Sequence, residues 1–114
     1  MVEIELPHPP SANHYWRRVG PRTLISREGR RFRRRVVAIL AALGLRPLSG
    51  RLAVHVQLFP PDGRRRDLDN ALKALLDALQ HGGAYGDDSQ IVELAVEKRE
   101  PVEGGKTLVR IRKL

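Results

Sequence analysis

The sequence predicts a single α+β domain spanning residues 1–114, with strands and helices in the order βαβαββ, and three observations carry that prediction. Four segments alternate apolar and polar residues with the period of two expected of a half-buried strand. Two longer segments repeat apolar residues at helical spacing. Loop signals separate these segments, at Pro7 to Pro10, Pro60 to Gly63 and Gly104-Gly105. A chain of 114 residues can bury one modest core but not two independent ones, and it shows no internal repeat.

The first strand is carried by Val2, Ile4 and Leu6, alternating with Glu3 and Glu5. A helix follows over roughly Ser26 to Leu43. At about 100° per residue, Phe32, Val36, Ile39, Leu40 and Leu43 share one face, while Arg27, Arg30, Arg31 and Arg34 share the other. Ser26 is placed to cap its N-terminus and Gly44 to stop it. Leu52, Val54, Val56 and Leu58 alternate with Ala53, His55 and Gln57 as the second strand. The second helix spans roughly Leu68 to Gln80, with Leu68, Leu72, Leu75, Leu76 and Leu79 as its core stripe. Val92, Leu94 and Val96 mark a third strand and Val109 and Ile111 a fourth, with Gly104-Gly105 placed to turn a hairpin between them. Four strands with one apolar face each need a covering layer, and the two helices supply it.

The chain carries 21 Lys and Arg against 13 Asp and Glu, a net charge of +8. Residues 17 to 66 hold fourteen arginines against only Glu28 and Asp62, so the first half is the polyanion-facing half. Arginine's planar fork suits bidentate phosphate contacts. Arginines in the first turn of a helix oppose its dipole and repel one another at i, i+4, a cost relieved when an anion binds. Arg27, Arg30, Arg31 and Arg34 therefore read as a cationic rail for nucleic acid, with an ordinary solvated face as the competing reading. The sequence has no cysteine, hence no disulfide framework and no thiolate metal site. His8, His14, His55 and His81 lack paired ligand spacing, which disfavours zinc. No apolar run approaches the roughly 20 residues of a membrane span, and Met-Val-Glu-Ile-Glu is unlike a signal peptide, so a soluble, cytoplasmic, nucleoid-associated protein is expected.

The sharpest local feature is Arg64-Arg65-Arg66-Asp67-Leu68-Asp69-Asn70, which sets carboxylates directly against a polycation. Carboxylates hold hard divalent cations and arginines hold phosphates, a pairing suited to metal-dependent chemistry on a nucleic-acid backbone. Residues two apart point to opposite sides of a helix but to the same side of extended chain. For Asp67 and Asp69 to share a metal, Asp67 must therefore precede the helix, at the strand-to-helix junction. Asp87 and Asp88, after Gly82, Gly83 and Gly86, read either as a polar turn or as the acidic element that closes the site. Lys73 reads either as an i, i+4 partner of Asp69 and Asp77 or as a phosphate-facing cation. Arg64, Arg65 and Arg66 read as DNA grips beside the site, with a solvated loop as the competing reading. Asn13 and Tyr15, with Trp16 adjoining, read as base contacts or, for the aromatics, as core.

The order Pro9-Pro10-Ser11-Ala12-Asn13-His14-Tyr15, then Ser26 to Gly29, then Asp67-Leu68-Asp69-Asn70 with Lys73 and Asp77-Ala78-Leu79, then Asp87-Asp88-Ser89-Gln90-Ile91-Val92 resembles the RusA-type Holliday junction resolvases over nearly the whole chain. The resemblance implies a RusA-like mixed β-sheet covered by two helices. It also implies a dimeric, Mg²⁺-dependent endonuclease, with Mn²⁺ as a substitute metal, that cuts four-way branched DNA symmetrically in recombination and repair. It assigns Asp67, Asp69 and Asp88 as catalytic, metal-holding acids, Asp87 as an adjacent acid without a fixed role, and Lys73 as the essential lysine. No organic cofactor is implied. A homodimer follows from the need for two matching incisions, with an exposed strand edge or the arginine helix as its contact. The readings left open are a non-catalytic basic nucleic-acid-binding module and a metal-dependent nuclease acting on other branched DNA or on RNA.

Overall fold

A computed structural model describes all residues, 1–114. The chain forms β1 (Val2–Leu6), α1 (Ala12–Tyr15), β2 (Trp16–Val19), β3 (Arg22–Ile25), α2 (Arg27–Ala42), β4 (Leu52–Phe59), α3 (Leu68–His81), a 3-10 turn at Asp88–Gln90, β5 (Ile91–Lys98) and β6 (Lys106–Lys113). The predicted strands and helices are all present. A short helix and a two-stranded hairpin, β2–β3, are added between β1 and α2. That hairpin carries Arg17, Arg18 and Arg22 and packs on the core only at its base, Trp16 opposite Ile25, so it offers no alternating pattern to read.

The main sheet has the order β1-β6-β4-β5. β1 and β4 both run antiparallel to β6, and β5 runs parallel to β4. This mixed sheet corrects the expected β5–β6 hairpin. A parallel neighbour needs a crossover, and α3 provides it, returning the chain to enter β5 at the outer edge of β4. The connection after β5 must then cross the end of β4 to reach the other side, guided by Arg99 N–H to the Leu58 carbonyl and Val102 N–H to the Pro60 carbonyl. Gly104-Gly105 closes that arch instead of a hairpin. Gly105 has a left-handed φ of 69°, and a Cβ there would stand 2.9 Å from His8 Cβ and 3.2 Å from Pro61 N.

Both helices lie on one face of the sheet. Phe32, Val36 and Leu40 of α2 and Ala71, Ala74, Leu75, Ala78 and Leu79 of α3 meet Ile4, Leu6, Leu52, Val54, Val56, Leu58, Val109 and Ile111 in one core. The α3 stripe is rotated from the all-leucine line: the alanines face inward, allowing close approach, and Leu68, Leu72 and Leu76 are only partly covered. Leu43, expected in the core, is 58% exposed because it is the C-cap residue where α2 ends. Val92 and Leu94 are 45% and 43% exposed on β5, an edge strand whose only strand neighbour is β4. Ser26 caps α2, its side chain accepting from Gly29 N–H at 2.9 Å, and Gly44 leaves the helix with a φ of 65°. No helix is long and apolar enough to cross a membrane.

Candidate active site

The Pro60–Arg66 loop links the end of β4 to α3 and is tied by its own residues. Asp62 accepts from Arg64 N–H at 3.0 Å and pairs with the Arg66 guanidinium at 2.8 Å, while Arg66 also donates to the Asp62 carbonyl. These contacts, the Arg66 hydrogen bond first, hold the Asp62 carboxyl below its usual range. Lys98 of β5 donates to the Arg66 carbonyl at 2.8 Å. Arg66 is thus a brace for the loop, whereas Arg64, 3.6 Å from Asp62 and with its side chain 83% exposed, stands out toward solvent.

Asp67 follows in extended conformation, φ −92° and ψ 137°, as the residue before the first turn of α3. This is the placement that sharing a metal with Asp69 demands. Its carboxylate makes no capping bond to the helix it precedes, and both it and Asp69 are exposed. Beside it runs a groove of about 860 Å³. The groove is walled by Pro7 to Ser11 and His14 on one side, by Glu28, Arg31, Phe32 and Arg35 of α2 on another, and by Arg64, Arg65, Arg66, Asp67 and Asn70 on a third. Burial, and then the charge of Arg66, lower the His8 imidazole below its usual 6.5, so it faces the groove neutral.

The cationic rail divides. Arg27, Arg30, Arg31 and Arg34 are all exposed, but of these only Arg31 lines the groove. Arg35, four residues on and outside the predicted set, lines it too; the i, i+4 step from Arg31 was the available signal. Tyr15 is fully buried, so its ring cannot stack on a base in this conformation, which corrects the DNA-contact reading. It belongs to the core, edge-on to Trp16 at 4.8 Å between ring centroids. Asn13 is exposed on α1 but does not line the groove.

At the other end of α3, Asp87 caps the 3-10 turn, accepting from Ser89 N–H at 2.8 Å, while the Gln90 side chain accepts from Asp87 N–H. The Ser89 bonds hold the Asp87 carboxyl below its usual range. Asp88 N–H donates to the Gln80 side chain at 2.8 Å, which sets Asp88 beside the last turn of α3, and its carboxylate accepts no hydrogen bond. Asp69, Lys73 and Gln80 fall on one solvent-facing stripe of α3, but Asp69 and Gln80 are about 16 Å apart along the axis. No three acidic or histidine side chains stand close enough to hold a metal together, so the expected convergence of Asp67, Asp69 and Asp88 is not formed within one chain.

The six aspartates therefore split evenly. Asp62, Asp77 and Asp87 are engaged by protein donors, Asp77 by Arg33 at 2.8 Å and by the Tyr15 hydroxyl. Asp67, Asp69 and Asp88 join no ion pair and accept no protein hydrogen bond, although Asp67 directly follows three arginines. Unpaired, exposed carboxylates suit Mg²⁺, which takes one or two of them and keeps several of its waters.

Comparison with known proteins gives the same direction. Residues 7–112 match the family model "Endodeoxyribonuclease RusA". A protein of Enterobacteria phage HK97, "Crossover junction endodeoxyribonuclease rusA", is 44% identical over 98% of this chain and 94% of its own length. Proteins named "Crossover junction endodeoxyribonuclease RusA" from Shigella sonnei (strain Ss046) and Escherichia coli (strain K12) are 40% and 39% identical, each over 97% of this chain and 93% of its own length. With its strand-to-helix acidic junction, its arginine-lined groove and a match along nearly its whole length, this chain belongs to the RusA endodeoxyribonuclease family.

Proposed function

We propose that the protein is a Mg²⁺-dependent endonuclease that resolves four-way DNA junctions by paired, symmetric phosphodiester cleavage during recombination and repair, acting as a homodimer on nucleoid DNA. The carrying observation is the division of the aspartates: the three left without protein partners are Asp67, Asp69 and Asp88, and Asp67 stands on the wall of the arginine groove. The relatives named as crossover junction endodeoxyribonucleases support the junction as substrate.

In this reading Arg31, Arg35, Arg64 and Arg65 hold the DNA backbone. Asp67, Asp69 and Asp88, with Asp87 adjoining, would hold the metal, which would supply an activated water and offset the negative charge that builds on the reacting phosphate. Lys73, exposed and without an ion-pair partner, contacts the scissile phosphate. A two-fold axis across the middle of α3 would set one copy's Asp67–Asp69 end beside the other copy's Asp88 end, completing two sites at once. Exposed Val92 and Leu94 on the edge strand β5 offer apolar surface for that pairing.

The test compares four-way junction, flap, linear duplex and RNA substrates at one salt concentration, with Mg²⁺ and with chelator. Junction-selective, chelator-sensitive cutting that Asp69→Asn and Asp88→Asn abolish, while junction binding persists, is the expected result. Unchanged cleavage by those variants removes the catalytic assignment; indifference to the junction leaves a nuclease of another specificity.

A further inference from the structure

Lys73 has a carboxylate one helical turn before it and another one turn after it, yet it pairs with neither. Aspartate and lysine at i and i+4 ordinarily attract on a helix surface. For Asp77 the structure shows a competing claim. Arg33 of α2 donates from Nη2 to Asp77 Oδ2 at 2.8 Å, and from Nε to the Tyr15 hydroxyl at 3.2 Å. The same hydroxyl donates to Asp77 Oδ2. The phenol is fully buried, and burial first, with the Asp77 bond second, pushes its pKa up, so it stays a donor throughout the working pH range. Three elements, α1, α2 and α3, therefore meet on one oxygen, and the arrangement turns Asp77 toward α2.

The groove arginines and Arg33 project from different flanks of α2: Arg31 and Arg35 border α3's first turn, while Arg33 reaches Asp77 some two turns later. The Arg33–Asp77 bond thereby fixes the cationic helix against the acidic one, one turn beyond Lys73.

We propose that Arg33, assisted by Tyr15, is a positioning residue for Lys73: by holding the Asp77 carboxylate on the α2 side of α3, it keeps the Lys73 ammonium unpaired and available to a phosphodiester. This rests on the phosphate-facing role given to Lys73 above. Removing Arg33 releases Asp77 to Lys73, and deleting the Asp77 charge as well removes the competitor.

The experiment measures single-turnover junction cleavage at saturating protein, junction affinity and thermal unfolding for the unaltered protein, Lys73→Met, Arg33→Met, Asp77→Asn and the Arg33→Met/Asp77→Asn pair. Expected are a roughly 10-fold slower cleavage by Arg33→Met, affinity within about three-fold, and recovery in the double variant to near the rate of Asp77→Asn alone. A brace with no effect on Lys73 predicts the opposite order, since the double variant lacks the whole clamp. The inference is overturned if Arg33→Met cuts at full rate or if the double variant is no faster than it. Should Arg33→Met unfold at the assay temperature, Tyr15→Phe, which keeps the packed ring and loses one bond to Asp77, is read in the same way: a smaller fall that Asp77→Asn relieves supports the proposal, and none overturns it. If the unaltered protein leaves junctions intact, the enzymatic reading falls and this inference with it; if Lys73→Met cuts normally, the enzymatic reading stands and the inference is overturned, because Lys73 then has no role to be positioned for.

Discussion

Asp67 and Asp87 occupy equivalent positions, each in extended conformation before the first residue of a helical segment, and they are used in opposite ways. Asp87 does what a capping aspartate ordinarily does, accepting from Ser89 N–H in a reciprocal box with Gln90. Asp67 forgoes the bond to the helix it precedes. Such a cap contributes about 0.5–2 kcal/mol, so one junction of the chain is optimised for stability and the other holds its carboxylate in reserve. Charge, residue type and backbone angle do not separate the two; the hydrogen-bond partner does.

The contrast is broken most severely by exchanging the roles. Asp67→Asn is expected to lower junction cleavage by about 1,000-fold or more while leaving the unfolding midpoint unchanged, and a combined cleavage assay and thermal scan reads both. Asp87→Ser, which retains a capping oxygen, should keep most of the cleavage; parity of the two variants would erase the distinction. The groove sharpens the comparison next. Arg35→Gln is expected to weaken binding to all DNA forms alike and to reduce the slope of log affinity against log salt by about 1, whereas Arg34→Gln, away from the groove, should leave that slope alone. Asp87→Ala, losing the cap, should destabilise the fold by about 1 kcal/mol in denaturant unfolding, with Asp67→Ala costing nothing measurable. The smallest effect concerns the neutral His8. Because the fold depresses this imidazole below 6.5, the unfolded chain binds a proton that the folded chain does not in the window just below that pH. Stability therefore rises with pH through the window and is lost on acidification, and His8→Gln should flatten that part of the stability profile.

Sequence patterns carried most of the architecture because they report local geometry. Alternation in Leu52 to Leu58, the apolar face of Phe32, Val36 and Leu40, the Ser26 cap and the extended placement of Asp67 all depend on residues within a few positions of one another. What alternation does not encode is the neighbour: Val92 to Val96 identified a strand but not that its partner would be β4 in parallel, since pairing is decided by the α3 crossover. Leu43, Val92 and Leu94 satisfied a periodic pattern and still emerged exposed, because position at an edge or a helix end is a property of the assembled fold. The Arg33–Asp77 bond links residues 44 apart in sequence and leaves no local trace. Likewise the neighbours of Tyr15 in sequence left base contact and core both open, and only the assembled fold buries it. At the candidate site, residue types and the Asp67 geometry were legible, while the separation of Asp69 from Asp88 followed only from the length and placement of α3.

The pairing of β1 with β6, Val2 opposite Ile111, has a kinetic consequence. The wall of the groove formed by Pro7 to Ser11 hangs directly from β1, and β1 has no other strand neighbour. A nascent chain emerging from the ribosome therefore carries its arginine helix long before it owns a finished groove, because β1 stays unmoored until the segment around residue 111 has been made. Such a high-separation contact slows folding, and it also delays assembly of the DNA-facing surface until synthesis has passed the last strand.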